Sequence, residues 1–391
     1  MNGINPGRIQ VMNNLNGLIP ILYAALQVIS RELVGFIPAT SMNSTADNAA
    51  LNQTIRVPIT PPSKNRDITP GTPPVGTGTN FGYVDMAITK ERIAEPIIWN
   101  GNEQIAVGSQ LNQMMVNQYT QAMRSLVNEV EQDVCLEGTI GALMAGNVYG
   151  VAGSTPFATN LDDLAEVRKI QDDLGTPKSD RHLIINTSTG MAIRKLVQLT
   201  NVNQAGENTL LRQGILSDLF NYAIRESGGF APIEPGTQTG LILSAAVTEG
   251  SKSIAVNALT GTLNVGAVIQ LGGDYYTLTA PALAGATMLN ISPALKKNLA
   301  SGTAGVILSR YLPNVAFSRD FIYLMTRNPA MPNQANRAGG QLLDLISITD
   351  TVSGLSFQVT LWEAYRQIRI EIGLAWGVKA VNNRHGVLML G

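Results

Sequence analysis

The side chains able to do chemistry are few in this sequence and widely spaced. There are two histidines, His182 and His385, and one cysteine, Cys135. No HExxH or CxxC spacing occurs, so the donor pattern of a zinc site is missing. Paired carboxylates stand at Asp162/Asp163 and Asp172/Asp173, the residue type used for general acid–base work. They fall in a helical pattern among Lys and Arg, and read as a solvated face. The glycine-rich run GTIGALMAGNVYG (138–150) fits neither GxGxxG nor GxxxxGK[ST], and reads as a helix end followed by a loop. No GxSxG elbow is present. Cys135 has no His or Lys beside it to activate the thiol, so it reads as a small packed side chain. His182 reads as structural, and Trp99, Trp362 and Trp376 as core. No enzyme chemistry, cofactor or metal is expected from these residues.

The elements that would position any site are easier to read. The chain has 391 residues, 45% of them hydrophobic and 14% charged, against a usual charged share of about a quarter. That length suggests two or three domains. Lys and Arg total 27 against 28 Asp and Glu, a net charge of -1. A dedicated nucleic-acid binder would show a basic excess. Weak surface charge instead suits a protein that packs against copies of itself. A single cysteine fits a reducing cytoplasm. The apolar run LIPILYAALQVI (18–29) is too short to span a bilayer and lacks the flanks of a signal peptide. Leu22, Leu26, Ile29 and Leu33 fall at helical spacing, which predicts an amphipathic helix docking on protein, within an N-terminal arm.

The stretch TIRVPITPPSKNRDITPGTPP (54–74) opens as a strand and then breaks into five prolines and a glycine around Lys64, Arg66 and Asp67. Alternation resumes over 82–90. A long two-stranded hairpin is predicted, with a tip that needs a partner surface, because an isolated hairpin is marginal in water. Residues 104–143 carry the strongest signal: Leu111, Met115, Tyr119, Ala122, Leu126, Val130 and Val134 step by three or four. About 30 residues of helix span roughly 45 Å. Ser109 is the expected N-cap, and Gly138 and Gly141 should weaken the far end. A helix after Asn160, a strand HLIIN (182–186) and a helix capped by Thr187 or Ser188 follow. Segment 241–309 holds five charges and short apolar runs punctuated by Gly, Ser and Thr. That pattern predicts a small β-barrel or sandwich inserted in a larger domain. Long alternating strands fill 320–327 and 342–381, and the chain ends on GVLML.

In this order of parts the sequence resembles the major capsid proteins of tailed bacteriophages, the Hong Kong 97-type fold. The likeness is carried by YVDMAITKERIAEPIIW…LNQMMVNQYTQAMRSLVNEVEQDV, by NVAFSRDFIYLMTRNP and by DTVSGLSFQVTLWEAYRQIRIEIGLAWGVKAV. It looks closest to the coat-protein branch of the Salmonella podophage type, which carries an inserted β-domain. The resemblance implies an α+β fold: an N-terminal arm (1–49), an E-loop hairpin (50–101) and a peripheral domain with the spine helix (102–150). An axial domain (151–240) follows, then the inserted β-barrel (241–309) and return strands (310–391). It implies a shell of hexamers and pentamers assembled in the host bacterial cytoplasm. A scaffolding protein, a portal, DNA held by loose non-specific contact and no membrane would be its partners. Charge complementarity suggests that Lys64, Arg66 and Asp67 of one hairpin tip meet Glu129 and Glu131 on a neighbour's spine helix. Two other readings fit parts of the pattern: a phage tail or decoration protein, which would share the small β-domain, and an α/β enzyme with a β-rich accessory domain.

Overall fold

The computed structural model describes residues 19–29, 34–49, 51–59, 70–71, 82–107, 110–200, 219–331, 341–350 and 353–391. In chain order, helix α1 (Ile19–Ile29) precedes strand β1 (Ser41–Ala49). The hairpin strands β2 (Thr54–Ile59) and β3 (Gly82–Ala87) follow, then β4 (Lys90–Ile93) and β5 (Ile97–Asn100). Next come helices α2 (Gly101–Val107) and α3 (Leu111–Ala145), β6 (Val148–Tyr149), α4 (Asp162–Asp173), β7 (Arg181–Ile185), α5 (Thr187–Lys195) and β8 (Tyr222–Glu226). Six short strands follow: β9 (Leu241–Ile242), β10 (Ser253–Ala255), β11 (Val268–Leu271), β12 (Asp274–Leu278), β13 (Met288–Ser292) and β14 (Ala304–Ile307). The chain closes with β15 (Pro313–Ser318), β16 (Ile322–Pro329), β17 (Gln341–Thr349), β18 (Ser356–Ala364), β19 (Gln367–Ala380) and β20 (Gly386–Leu390).

α3 is the long helix that the hydrophobic stepping predicts. It runs through Gly138 and Gly141 to a left-handed Gly146, whose N–H bonds Leu143 O. The two glycines do not end it, because they are where neighbours come closest. A Cβ on Gly138 would lie 2.5 Å from the Phe36 ring, and one on Gly141 2.4 Å from Ala380 Cβ. The expected cap Ser109 lies outside the described residues. α5 is capped by Asn186, whose side chain accepts from Thr189 N–H at 2.9 Å, rather than by Thr187 or Ser188. An Asn at the end of a buried strand is as good a cap as either.

Seven strands form the largest sheet, along the path β1-β16-β19-β18-β17 with β4 and β5 also on β19. Gly373 pairs with both Gln358 of β18 and Ile93 of β4, and Trp376 with both Thr326 of β16 and Lys90 of β4. A strand residue has one partner on each side, so β16 and β18 share one side of β19 and β4 takes the other. The main core lies between this sheet, α3 and α1, with Leu22, Phe36, Tyr119, Phe321, Phe357 and Trp376 fully buried. The amphipathic helix predicted to dock on protein docks as α1 on its own chain, through Leu22, Ala25 and Leu26, and β1 joins the sheet beside β16. β1 is polar, SMNSTADNA, and its strand state comes from parallel pairing with β16. A second sheet, β6-β20-β15-β7-β8, carries α4 and α5 over its own core of Phe157, Leu164, Leu183 and Ile193.

The six short strands run β10-β13-β12-β11-β14-β9. The two ends then meet: Leu243 bridges Val256, with Ser244 N–H on Ala255 O at 3.1 Å and Asn257 N–H on Ile242 O at 2.9 Å. The sheet is closed on itself, which removes its free edges. A separate interior of Leu241, Ile254, Leu271, Tyr276 and Ile291 fills it. The chain enters from β8 and leaves into β15, and Ser292 Oγ donates to Met144 O at 3.0 Å at the end of α3.

Candidate functional site

β2 and β3 pair from Thr54↔Ala87 to Ile59↔Gly82 and form a two-stranded sheet that no third strand joins among the described residues. Along β2 exposed residues alternate with half-buried ones: Arg56 and Pro58 face outward, and Ile55 and Val57 pack toward Met86, Ile88, Met325 and Ala375. Tyr83 is 57% exposed. One face carries a local cluster, Arg56 lying 4.4 Å from the Tyr83 ring centroid and 3.2 Å from Asp85. The face bearing Ile55, Val57, Met86 and Ile88 is the seated one. Met86 and Ile88 pack with Met325 and Ala375, and Lys379 Nζ donates to Asp85 O at 3.0 Å. At this point β3 crosses β19 so closely that a Cβ on Gly377 would lie 2.1 Å from Ala87 O. Lys64, Arg66 and Asp67 lie between β2 and β3, outside the described residues.

The acidic side of α3 is engaged within the subunit. Glu129 is bridged by Lys90 at 2.9 Å and Arg92 at 3.3 Å, both on β4. Lys90 also reaches Asp133 at 2.9 Å, and Asp133 accepts from Trp376 Nε1 at 2.8 Å. Burial pulls the Lys90 ammonium down, but the bonds to Asp133 and Glu129 outweigh it and raise its pKa overall. These contacts clamp the strand leaving the hairpin onto the long helix.

Glu131 corrects the expectation of a surface contact, since it is 2% exposed. Its Oε1 accepts from Gly35 N–H (2.9 Å), Phe36 N–H (2.8 Å) and Ser227 Oγ (2.6 Å), and its Oε2 from Ile37 N–H (3.0 Å). Burial pushes the carboxyl up, against those four donors, and the net direction is upward. The buried arc of α3 is wider than its apolar stripe, because residues 35–37 and the end of β8 cover this side. Cys135, one turn on, is buried with Sγ 3.4 Å from Ser227 Oγ. Its thiol is pushed well up, first by burial and then by Glu131, which leaves it unreactive.

The two histidines, remote in sequence, come to one end of β15. His182 pairs with Phe317 across the strands, and its Nε2 lies 3.0 Å from Asp180 Oδ1. His385 Nδ1 lies 2.8 Å from Asp320 Oδ2. Burial lowers the His182 pKa. Asp320 is pushed up by burial, but the His385, Ser318 and Asn382 contacts prevail and hold it at about 2. The paired carboxylates are committed too. Asp163 accepts from Phe157 N–H at 2.7 Å and Tyr149 Oη at 3.0 Å, and Asp172 is held by Arg181 at 2.7 Å, which lowers its pKa. Among the described residues no group of three His, Cys, Asp or Glu could hold a metal, and no helix is long and apolar enough to cross a membrane.

Sequence reasoning missed Lys90, Arg92 and Asp133. Lys90 and Arg92 share a strand face at a spacing of two, and Glu129 and Asp133 a helix face at a spacing of four. That match was visible, but not the adjacency of the two faces. A groove of about 680 Å³ lies next to this clamp, between β5 and α3, lined by Pro96, Ile98, Asn117, Gln121 and Ser125 with Glu95 at its rim.

No family model matches the sequence, and no curated protein matches it. Solved structures do resemble the fold. A chain from the capsid of cyanophage P-SCSP1u aligns over 90% of this chain and 86% of its own, with TM-score 0.47 and 10% identity. A chain of Mycobacterium phage Che8 aligns over 86% and 84%, with TM-score 0.43 and 13% identity. The virus-like particle protein of Pyrococcus furiosus aligns over 95% and 98%, with TM-score 0.41 and 10% identity.

Proposed function

We propose that the chain is a major capsid protein of the Hong Kong 97 type, assembling into the icosahedral shell around the double-stranded DNA of a tailed phage. One observation carries this reading: among the described residues the β2–β3 hairpin is a two-stranded ribbon with one face exposed and the other only partly covered, through Ile55, Val57, Met86 and Ile88. A two-stranded ribbon is not stable by itself, so this one is completed by another subunit. In this reading 50–101 is the E-loop lying over a neighbour. Residues 102–150 hold the peripheral spine, 151–240 and 310–391 form the axial and return parts, and 241–309 is an inserted barrel of the podophage coat-protein kind. The shell would use hexamers and pentamers, with a scaffolding protein and portal as partners, in the host bacterial cytoplasm. The net charge of -1 supports loose, sequence-independent contact with the enclosed DNA.

Lys64, Arg66 and Asp67 remain the proposed contact residues of the loop tip. With Glu131 internal and Glu129 bridged, Glu95 beside the groove is a better-placed acidic partner than either. Reversing Lys64 and Arg66 to Glu should lower shell yield, and unchanged yield and shell stability would remove the tip from the interface. The reading as a whole is tested by negative-stain microscopy with sedimentation velocity, on the chain alone and co-expressed with its genomic neighbours. Closed uniform shells are expected. A persistent monomer or small oligomer in every co-expression would overturn it.

A further inference from the structure

Two chain crossings join the second sheet to the largest one: the 319–321 turn between β15 and β16, and the 383–385 turn between β19 and β20. The crossings hold each other. Val381 and Asn382 N–H both donate to Phe321 O, at 2.8 and 3.2 Å, and His385 meets Asp320 at 2.8 Å. A third segment is fastened to them. Arg319 Nε bridges Asp180 Oδ2 at 2.7 Å, and Arg319 N–H donates to Asp180 O at 3.3 Å, so the start of β7 is tied to the first crossing. Asp180 holds this position at φ 59°, a left-handed conformation uncommon outside glycine and kept by the contacts around it.

His182 lies under that tie. It is 3% exposed, its Nε2–H donates to Asp180 Oδ1 at 3.0 Å, and its Nδ1 is buried with no hydrogen-bond partner. The ring packs against Phe317, which stacks on Phe36. Among the described residues three charged groups act on it: Asp180 at the entry to β7, Arg225 on β8 and Arg319 on the first crossing. The neutral ring suits this setting. A second proton would sit on Nδ1, where nothing accepts it, and would gather three cations around a carboxylate that Arg319 already uses. Burial first, and then Arg225 and Arg319 against the pull of Asp180, lower the His182 pKa, in keeping with that geometry.

We propose that His182 is an acid-sensitive release for the joint between the two sheets, its protonation freeing residues 180–182 from the first crossing by breaking the Asp180–Arg319 tie. A ring held neutral when the joint is closed and able to charge when it meets water shifts the balance toward the open form as pH falls below 6.5, and opening also relaxes Asp180. Asp320 stays ionised down to about 2, so its contact with His385 holds while His182 charges, and the opening is local. The device does not depend on whether the chain builds a shell.

Hydrogen exchange of the purified full chain, followed by mass spectrometry and corrected for the intrinsic rate, reads the joint at pH 7.5 and 5. Peptides covering 180–186 and 315–321 should lose protection about tenfold and open ahead of the buried part of α3. His182→Gln keeps an N–H for Asp180 but takes no proton, and should abolish the loss. Arg225→Gln removes one repelling cation and should shrink the loss about threefold, with protection at pH 7.5 unchanged. Protection that is flat between the two pH values overturns the proposal. So do joint peptides that open no sooner than α3, because the joint then has no opening of its own. A loss that persists undiminished in His182→Gln or, should that variant not fold, in Arg225→Gln belongs to another group and overturns it as well.

Discussion

Glu131 shows how much one buried carboxylate organises. Four donors from two distant segments converge on it, three of them backbone N–H groups of residues 35–37. Glu131→Ala would leave those donors buried without an acceptor and should cost about 3–5 kcal/mol. Glu131→Gln keeps the shape but sets an amide N–H against a donor, and should cost about 1–3 kcal/mol. Urea unfolding of the two variants checks the order, and a loss below about 1 kcal/mol for Ala would contradict the geometry. The histidine end of β15 predicts two pH windows. Asp320 titrates near 2 when folded against 3.8 when free, so its contribution is present above 3.8 and lost as pH falls toward 2. His182 is lowered from 6.5, so the fold favours the neutral ring, and stability falls as pH drops below 6.5. Unfolding midpoints measured against pH should lose the lower slope in Asp320→Asn and the upper one in His182→Gln.

At the scale of elements, the long helix and the long strand are joined through glycines. Gly141→Ala gains about 1 kcal/mol of helix propensity. Its new methyl would nonetheless lie 2.4 Å from Ala380 Cβ and 3.1 Å from the Phe321 ring, in a core that overpacking disturbs by about 1–3 kcal/mol. The clash wins, so the melting temperature should fall, and a rise would mean that α3 and β19 can slide apart cheaply. Gly377→Ala is more severe, because the atom met is the backbone oxygen of Ala87, which cannot rotate away. The Lys90–Glu129–Asp133 contact acts on the same joint. It ties β4 to α3 and so sets the direction in which the hairpin leaves the body.

Across the whole molecule, what folds the subunit and what projects from it are separable. Ile59 pairs with Gly82, so residues 60–81 can be replaced by Asn-Gly, a dipeptide that closes a two-residue hairpin turn. The hairpin's packed residues, Ile55, Val57, Met86 and Ile88, all remain in this shortened chain, so it should keep its circular dichroism and melting temperature. Sedimentation should show it failing to form shells. Loss of folding would mean that the loop supports its own subunit, and normal shells would mean that the loop tip is dispensable. The closed barrel has its own interior, and its attachment at Ser292 and the strands beside it makes it an appendage of the spine's far end.

Much of this was legible beforehand, and the reason differs by element. The spine helix, the hairpin strands, the barrel segment and the return strands are each written in local period, 3.6 or 2, which one face of burial imposes. The packed cysteine was an equally local fact, since no His or Lys stands beside it in sequence and the fold buries it. Other features depended on partners far away in sequence. β1 is a strand only because β16 pairs with it, since SMNSTADNA has no apolar alternation of its own. Glu131 looked solvent-facing because helical stepping counts apolar residues and cannot see three N–H donors arriving from residues 35–37. The same holds for the two histidines at one strand end and the clamp on Glu129. Sequence determined the elements and their order, because propensity and patterning act within a few residues. Tertiary structure decided which polar groups meet, because the bonds at Glu129, His385 and Glu131 join residues 39, 65 and 96 positions apart, beyond the reach of local pattern.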